Sequence, residues 1–492
     1  MKADLTRSTF DQHKQFTRVL MQQGRVQLDS DWNEQTAILL HYMQTLAADI
    51  IGPHGGPQDN FGFGIIFDPT SLPEEERETL SEEEKRVLES LEDRDFAIGK
   101  GRYYVDGMLC ENESYVTYTD QPYFPGVEPP EEDRYLVYLD VWERHITSIE
   151  DPDIREVALG GPDTATRAKL VWQVRVDSVP DESVDKEGFD ARFTLDRDSV
   201  RANWRDGWVR RWQPDNRGML KAKGREGVED DSDPCIVSPE ARYRGAENQL
   251  YRVEIHTGGE ISRDDGSDEK SLSPTGMETA GVPTFKWSRD NGSVTYPIRD
   301  LDGSVATLES MGRDDYLGLK VGDLVEIVDD DYVLQGRAEP LLRVEEVDAT
   351  TLRVTLDGQP PSDVGRHPTK HPLLRRWDHG SGGSPNGSSS YDTLPLREDT
   401  WLTLEDGIQI YFKPADAQGP NNCYRTGDYW LIPARTATGD VEWPGDVGDP
   451  QAQPPHGIDH HYAPLAIVSN GSPPSDCRCR FDRLGVCLSD GE

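Results

Sequence analysis

The sequence predicts a mainly β protein with minor α, in which an N-terminal arm and helix precede several small β-sandwich or barrel-like units with long loop insertions. Three observations support this prediction. The 492 residues are too many for one hydrophobic core. The 45 glycines and 34 prolines favour frequent turns between short apolar runs. The 11 tryptophans and 18 tyrosines supply the large side chains that several cores bury.

Residues 1–60 form the predicted attachment or oligomerisation segment. Residues 1–30 have the pattern of an extended arm with a tight turn at Gly24. Asp31 and Glu34 have the spacing of a capping box, which predicts that a helix begins at Asp31. The helix ends at Gly52, and its apolar residues recur at helical spacing and face either the protein's own core or a partner chain: Leu39, Tyr42, Met43, Leu46 and Ile50.

The remainder of the chain divides by composition into β-rich bodies and connecting segments. The pair Asp106-Gly107 predicts a hairpin, and the run 134–147 predicts a central strand that is apolar on both faces. The predicted domains are 61–177 with an acidic helical insertion at 73–93, an irregular insertion at 178–249, a barrel-like domain at 250–377, a linker at 378–400, and a C-terminal β-rich segment with a Cys/His tail at 401–492.

The charge balance restricts the class of partner. The chain carries 52 basic and 92 acidic residues, a formal net charge of −40. We expect no nucleic-acid partner, because that affinity depends on cationic contacts with phosphate. The first residues lack an apolar signal region and no run of about 20 apolar residues follows. We therefore expect synthesis in the cytoplasm without a signal peptide, and no direct membrane insertion.

Two groups of residues are candidates for metal binding, although the sequence does not require a cofactor. The first is His456, His460 and His461 with Cys477 and Cys479, whose nitrogen and sulfur atoms suit zinc or iron. The alternative is that these histidines form hydrogen bonds within a turn. The second is a set of acidic loops at 229–233, 264–265 and 329–331, which are candidates for calcium but do not match the twelve-residue calcium loop and are more typical of solvated turns.

Trp204, Trp208 and Trp212 lie four residues apart among several arginines. An exposed row of this kind would be a possible glycan contact, since aromatic rings stack on sugars. The alternative is an amphipathic element packed on the body of the protein. The sequence contains no nucleophile elbow, phosphate loop or zinc-protease motif, so we do not expect an enzyme.

The stretches KADLTRSTFD, FTRVLMQQGRVQLDSDWNEQTAILLHY and GPHGG resemble the opening of an uncharacterised protein family encoded near phage-tail-like contractile injection systems. Later stretches fit the same family, among them YYVDGMLCEN, VYLDVWERHIT, FKWSRDNGSV and HGIDHHYAPLAI. The resemblance implies a structural component near the baseplate, such as a cage, a fibre or a fibre adaptor. It brings no catalytic pattern with it.

On this resemblance we expect a homo-oligomer, a trimer or sixfold-related copies, that binds other baseplate and tail proteins within a large particle. The particle would be cytoplasmic, membrane-anchored or released by lysis. A carbohydrate-binding or glycan-cleaving protein of the cell surface is the alternative. The expected assembly interface consists of Phe10, Phe16, Arg25, Trp32, Leu39, Tyr42, Met43, Leu46 and Ile50.

Overall fold

The computed structural model describes residues 1–124, 126–178, 191–225, 242–261, 282–312, 314, 316–379, 393–446, 448–469 and 472–482, with the short strands at 271–272 and 278–279. The protein is mainly β with few helices, and it combines a closed barrel with several smaller sheets. The predicted fold class is confirmed. Within the described ranges no helix has both the length and the apolar character needed to cross a membrane.

The helices are short except for the first. They are α1 (Asp29–Ile51), α2 (Glu74–Thr79), α3 (Glu82–Glu89), α4 (Arg197–Ala202), α5 (Arg210–Trp212) and α6 (Asp330–Leu334). A π-helical turn, Trp204–Val209, precedes α5. Single 3-10 turns lie at Gln12–Lys14, Gln58–Asn60, Pro69–Ser71, Pro152–Ile154, Val157–Leu159, Ala191–Phe193 and Pro368–Lys370.

The strands follow in chain order. The first eight are β1 (His54–Pro57), β2 (Ile65–Ile66), β3 (Ala97–Ile98), β4 (Gly101–Val105), β5 (Met108–Asn112), β6 (Val116–Thr117), β7 (Arg134–Ile146) and β8 (Arg167–Asp177). The next are β9 (Met219–Gly224), β10 (Gln249–Thr257), β11 (Gly259–Glu260), β12 (Ser271–Leu272), β13 (Glu278–Thr279) and β14 (Thr284–Ser288).

The second half of the chain adds the barrel and the C-terminal strands. The barrel strands are β15 (Thr295–Asp302), β16 (Val305–Leu308), β17 (Leu324–Val328), β18 (Leu342–Asp348), β19 (Arg353–Leu356) and β20 (Leu373–Trp377). The last are β21 (Leu394–Pro395), β22 (Trp401–Thr403), β23 (Ile408–Lys413), β24 (Cys423–Tyr424), β25 (Tyr429–Arg435), β26 (Asp440–Val441), β27 (Gly445–Asp446), β28 (Asp449–Pro450), β29 (His461–Ser469), β30 (Ser472–Asp476) and β31 (Arg480–Phe481).

Three β units are nested in one another rather than following in sequence. The barrel closes in the order β15-β16-β19-β18-β17-β20. It interrupts a central sandwich, whose sheets are β21-β14-β10-β25-β26 and β22-β23-β9. The sandwich in turn interrupts a first β unit, in which β29 and β30 join β7 and β8, and β31 pairs with β1. The described residues of the predicted C-terminal segment 401–492 are therefore divided between the sandwich and the first unit.

Several local predictions are confirmed. Asp106-Gly107 forms the turn between β4 and β5, with both residues at positive φ. Strand β7 is central and buries one face against β4 and β29 residues and the other against the tryptophan segment. The predicted acidic helical insertion at 73–93 contains α2 and α3, and α3 begins with a capping box formed by Ser81 and Glu84.

The start of α1 differs from the prediction. The helix begins at Asp29, and its N-cap residue Leu28 makes no side-chain cap. The carboxylate of Glu34 instead accepts a hydrogen bond from the Thr9 hydroxyl at 2.6 Å. Asp29 and Glu34, at this end of the helix, therefore bind the arm.

Candidate functional site

One side of α1 carries a row of apolar side chains that face solvent. Among the predicted interface residues of this helix, Trp32 is 63%, Met43 69% and Leu46 61% exposed, and Leu39, Tyr42 and Ile50 are also at least half exposed. Most of the exposed large apolar side chains in the described ranges lie between residues 16 and 50. Exposed apolar surface concentrated in one place is typical of a binding interface.

The opposite side of α1 is held by the body of the protein. Ile38 is only 1% exposed and Ser30 is buried to the same extent. The backbone of α1 at Gln44 lies so close to the β4–β5 turn that a Cβ on Gly107 would be 2.1 Å from the Gln44 carbonyl oxygen. A close backbone approach of this kind fixes the helix, and therefore its exposed side, relative to the first β unit.

The arm runs along one flank of α1. The backbone N–H and hydroxyl of Thr6 donate to the Asp29 carboxylate at 2.9 and 2.6 Å. Further along, the Phe10 ring packs against His41, and the backbone N–H of Val19 donates to the Gln35 side chain at 2.8 Å. Phe10 is therefore half-buried against its own helix, which argues against a direct interface role, whereas Phe16 and Arg25 are exposed.

The first three residues enter the body of the protein. The Met1 amine donates to the Tyr429 hydroxyl at 2.7 Å, and the Met1 carbonyl accepts from Arg252 and Asn291. The Lys2 ammonium is 3.0 Å from the Glu254 carboxylate. Arg7 continues the attachment with an ion pair to Glu442 at 3.0 Å. The arm is therefore fixed to the central sandwich at its root and to α1 along its length.

Lys2 belongs to a buried ion network that joins the sandwich to the barrel. Glu254 also pairs with Arg252 at 2.5 Å and with Lys286 at 3.5 Å, and Lys286 pairs with Glu326 of the barrel at 2.6 Å. Except for Lys2, each of these side chains is at most 3% exposed. Burial would raise the pKa of Glu254, but Lys2, Arg252 and Lys286 hold it well below its usual value.

A cavity of about 490 Å³ lies beside this network, where α1, the first β unit, the sandwich and the barrel meet. Its lining mixes cations and carboxylates, including Arg144 and Arg375 with Glu143 and Glu150. Four buried nitrogen atoms on its lining have no hydrogen-bond partner among the described groups, namely Arg144 Nε, His145 Nε2, His256 Nδ1 and Arg375 Nε. These groups suit solvent or a small polar molecule.

The three predicted glycan-contact tryptophans are buried, which makes that interpretation wrong. Trp204, Trp208 and Trp212 are 4%, 0% and 7% exposed. Trp212 stacks on Tyr138 of β7 with ring centroids 4.0 Å apart. The segment is therefore the amphipathic element of the alternative interpretation, and it covers the second face of the β7 sheet.

The predicted zinc or iron ligands do not converge. His460 Nδ1 lies 2.6 Å from Asp140, and His461 Nδ1 lies 2.9 Å from Asp106. His456 is buried beside Tyr429, and burial lowers its pKa to about 4. Cys477 is fully buried and burial raises the pKa of its thiol to about 11, while Cys479 lies half-buried two residues further along the chain. In the described part of the chain no three His, Cys, Asp or Glu side chains form a metal-binding group.

The acidic loop at 329–331 is also not a calcium site. Asp329 caps α6 by accepting from the Tyr332 backbone N–H at 2.9 Å. Asp330 pairs with Arg144 at 2.5 Å, and Asp331 binds Lys370. Each carboxylate therefore already has a partner, so this stretch is not the solvated turn that the sequence favoured. The loops at 229–233 and 264–265 lie outside the described residues.

The buried ion network and the cavity were missed by the sequence analysis. In YRVEIH of β10, apolar and polar residues alternate, which is the usual pattern of a strand with one solvated face. Here the polar face, with Arg252, Glu254 and His256, is buried as well. The one available signal was that both charge signs occur together on that face.

Comparisons with known proteins give one result. A model of a family of unknown function matches residues 1–198 and 217–489. The unmatched residues between these ranges contain the three buried tryptophans. No curated protein and no solved structure matches the chain.

Proposed function

The chain belongs to the family of unknown function DUF6519, and from that premise we propose that it is a structural component of a phage-tail-like contractile injection system. It would be a baseplate-proximal cage, a fibre or a fibre adaptor. It assembles through the arm and α1, where further copies of the chain meet. The observation that supports this most directly is the exposed apolar side of α1 on a helix that the body holds in place.

The contacts of the arm with the body and with α1 indicate that the proposed assembly surface is already ordered before copies meet. The root of the arm is held by Glu254, Tyr429 and Glu442, and its middle by Asp29 and Glu34. An interface that is already ordered in the free protein loses less conformational entropy on binding. Such preorganisation suits a component that must be added in many copies to one particle.

The net charge of the molecule also favours α1 as the surface through which copies meet. At a net charge of −40, copies repel one another over most of their surfaces. Apolar side chains on α1 offer a place where two copies can approach and remove about 25 cal/mol of unfavourable hydration per Å² of buried apolar area. Trimers or sixfold-related copies around a baseplate axis, in contact with other baseplate and tail proteins, would follow.

The alternative function, a carbohydrate-binding or glycan-cleaving protein, was suggested by Trp204, Trp208 and Trp212, and these residues no longer support it. Rings that are buried against β7 are not available to stack on a sugar.

The test is the content of purified particles. We expect the wild-type chain to co-purify with sheath and tube proteins from cells that produce contractile particles, as measured by mass spectrometry. The triple variant Leu39→Ser, Met43→Ser, Ile50→Ser should lose most of this association, because it removes apolar area from α1 without touching buried residues.

The matched control is Val157→Ser, Leu159→Ser, Val321→Ser, which removes three exposed apolar side chains away from α1. It should leave the association unchanged. Absence of the wild-type chain from intact particles would refute the proposed function. Equal loss in both triple variants would show that general surface polarity, not α1, controls the association.

A further inference from the structure

The exposed side chains of α1 follow a seven-residue repeat. In a heptad abcdefg, Trp32, Leu39 and Leu46 occupy the d positions, and Thr36, Met43 and Ile50 occupy the a positions. All six side chains are exposed in the single chain. Apolar residues at alternating spacings of four and three are the pattern by which helices of a coiled coil meet. The 23 residues of α1 span about 35 Å, roughly three heptads.

The rest of the heptad faces the protein itself. The buried residues Ser30 and Ile38 occupy b and c positions, and Gln44, whose carbonyl contacts the β4–β5 turn, occupies another b position. His41, which packs on Phe10, occupies an f position. The body and the arm thus lie against the b, c and f side of α1 at these residues, and the a and d side chains from Trp32 to Ile50 face solvent in the single chain.

The flanks of this row carry little charge. The e positions are Asn33, Leu40 and Ala47, and the g positions are Gln35, Tyr42 and Asp49. Charged e and g residues usually select a different partner chain or a fixed pairing. Among these e and g residues only Asp49 is charged. Identical copies of a chain with a net charge of −40 therefore repel one another less along this side of α1 than elsewhere on their surfaces.

We infer that α1 is one helix of a parallel coiled coil formed with further copies of this chain, with Trp32, Thr36, Leu39, Met43, Leu46 and Ile50 as its core. The inference rests on the proposed function only in taking the arm and α1 as the assembly surface. Three or more copies whose helices pack around one axis require parallel helices, because a rotation about an axis that runs along a helix cannot reverse its direction. The arm lies on one flank of this core, where the backbone N–H of Val19 donates to the Gln35 side chain at a g position.

The first test is the mass of the purified full-length chain in solution, measured by light scattering coupled to size exclusion. We expect the wild type to be oligomeric and Leu46→Asp to be monomeric. An uncompensated carboxylate in a coiled-coil core should weaken self-association by roughly 100-fold or more. The control is Thr45→Asp, which adds the same charge one residue away at an exposed c position.

The second test reads the orientation of the helices. Single variants Trp32→Cys and Ile50→Cys are treated with a short bismaleimide cross-linker, and the wild-type chain with its native cysteines serves as background. A parallel arrangement predicts that each variant cross-links to itself and that a mixture of the two gives no additional mixed product. Efficient cross-links only between Trp32→Cys and Ile50→Cys would overturn the parallel arrangement.

The outcomes separate this inference from the proposed function. A monomeric wild type, or oligomers that Leu46→Asp and Thr45→Asp leave equally intact, would overturn the coiled coil. If the wild-type chain were still incorporated into particles in that case, the proposed function would stand with another partner on α1. Far-ultraviolet circular dichroism of both aspartate variants distinguishes the loss of self-association from unfolding of the chain.

Discussion

Glu326 is the residue on which the junction between the barrel and the sandwich depends most. It is 2% exposed and accepts hydrogen bonds from Lys286 at 2.6 Å, from the Trp377 indole at 2.9 Å and from the Tyr332 hydroxyl. Burial would raise the pKa of this carboxyl, but Lys286 and Lys2 lower it to about 2. Three donors therefore converge on one ionised carboxylate.

Replacing Glu326 by Gln should lower the free energy of unfolding by about 3 kcal/mol. The amide has the shape of the carboxylate, but its NH2 group must face at least one of the three donors, and Lys286 loses a charge partner. Denaturant unfolding followed by tryptophan fluorescence measures the loss. Glu345→Gln, at an exposed position of β18 in the same barrel, should change stability by less than about 0.5 kcal/mol.

His256 should make the protein sensitive to acid. It is 4% exposed, and burial together with Lys286 lowers its pKa to about 3, below the usual 6.5. The folded state keeps this histidine neutral while the unfolded state takes up a proton, so its contribution is full above about pH 6.5 and falls as the pH drops towards 3. Between pH 7 and pH 5 the loss is about 2 kcal/mol.

The variant His256→Gln does not titrate, so its stability between pH 7 and pH 5 should fall by about 2 kcal/mol less than that of the wild type. His54, His145 and His456 have lowered pKa values for the same reason and leave a residual acid sensitivity. His367→Gln, at an exposed position, is the control. Parallel pH profiles for the wild type and His256→Gln would contradict the prediction.

At the scale of elements, Asp29 binds the first part of the arm to the start of α1. Its two bonds to Thr6 are the first contacts between the arm and the helix. In Asp29→Ala both are lost, and we expect faster amide hydrogen exchange in residues 4–10 with little change in the barrel. Asp31→Ala, in the same first turn of α1, should leave exchange in the arm unchanged. Equal effects of both variants would mean that the charge at the helix terminus, not the bond to Thr6, matters.

Local patterns in the sequence predicted the elements well and their contacts poorly. The periodicity of Leu39, Met43, Leu46 and Ile50 predicted α1, and Asp106-Gly107 predicted the β4–β5 hairpin, because both signals are contained in a few neighbouring residues. The capping box at Asp31 was wrong because Thr6 and Thr9, far away in the sequence, bind the acidic residues of that turn. The periodicity does not decide whether the apolar side of α1 faces the protein's own core or a partner chain, because that depends on contacts with residues that are distant in the sequence.

The nested order of the three units could not be predicted either, because it depends on pairing between strands that are distant in the sequence. Strand β29 pairs with β7 across more than half of the chain, and β25 pairs with β10 across the whole barrel. Alternation of apolar and polar residues indicates that a strand is half-buried, but it does not say which strand lies beside it. The predicted boundaries at 378 and 401 followed composition, whereas the unit boundaries follow the pairing.

For the whole molecule, nesting predicts which parts can fold alone. Residues 294–377 contain all strands of the closed barrel and a continuous apolar core, so no edge strand is left unpaired. We expect a fragment of residues 293–379 to fold and to unfold cooperatively, as measured by circular dichroism and by dispersed amide NMR signals. A fragment of residues 394–469 should stay unfolded, because β25 and β29 lack their partners β10 and β7.

The isolated barrel also tests the role of the ion network. It contains Glu326, Tyr332 and Trp377 but not Lys286, so the carboxylate keeps its two neutral donors and loses its cation. Without the sandwich this carboxylate also gains contact with water, so the amide of Glu326→Gln breaks no buried ion pair in the fragment and weakens only hydrogen bonds. The substitution should therefore destabilise the fragment much less than the full chain, where it separates a buried pair. Equal losses in both would show that Lys286 contributes nothing to stability through Glu326.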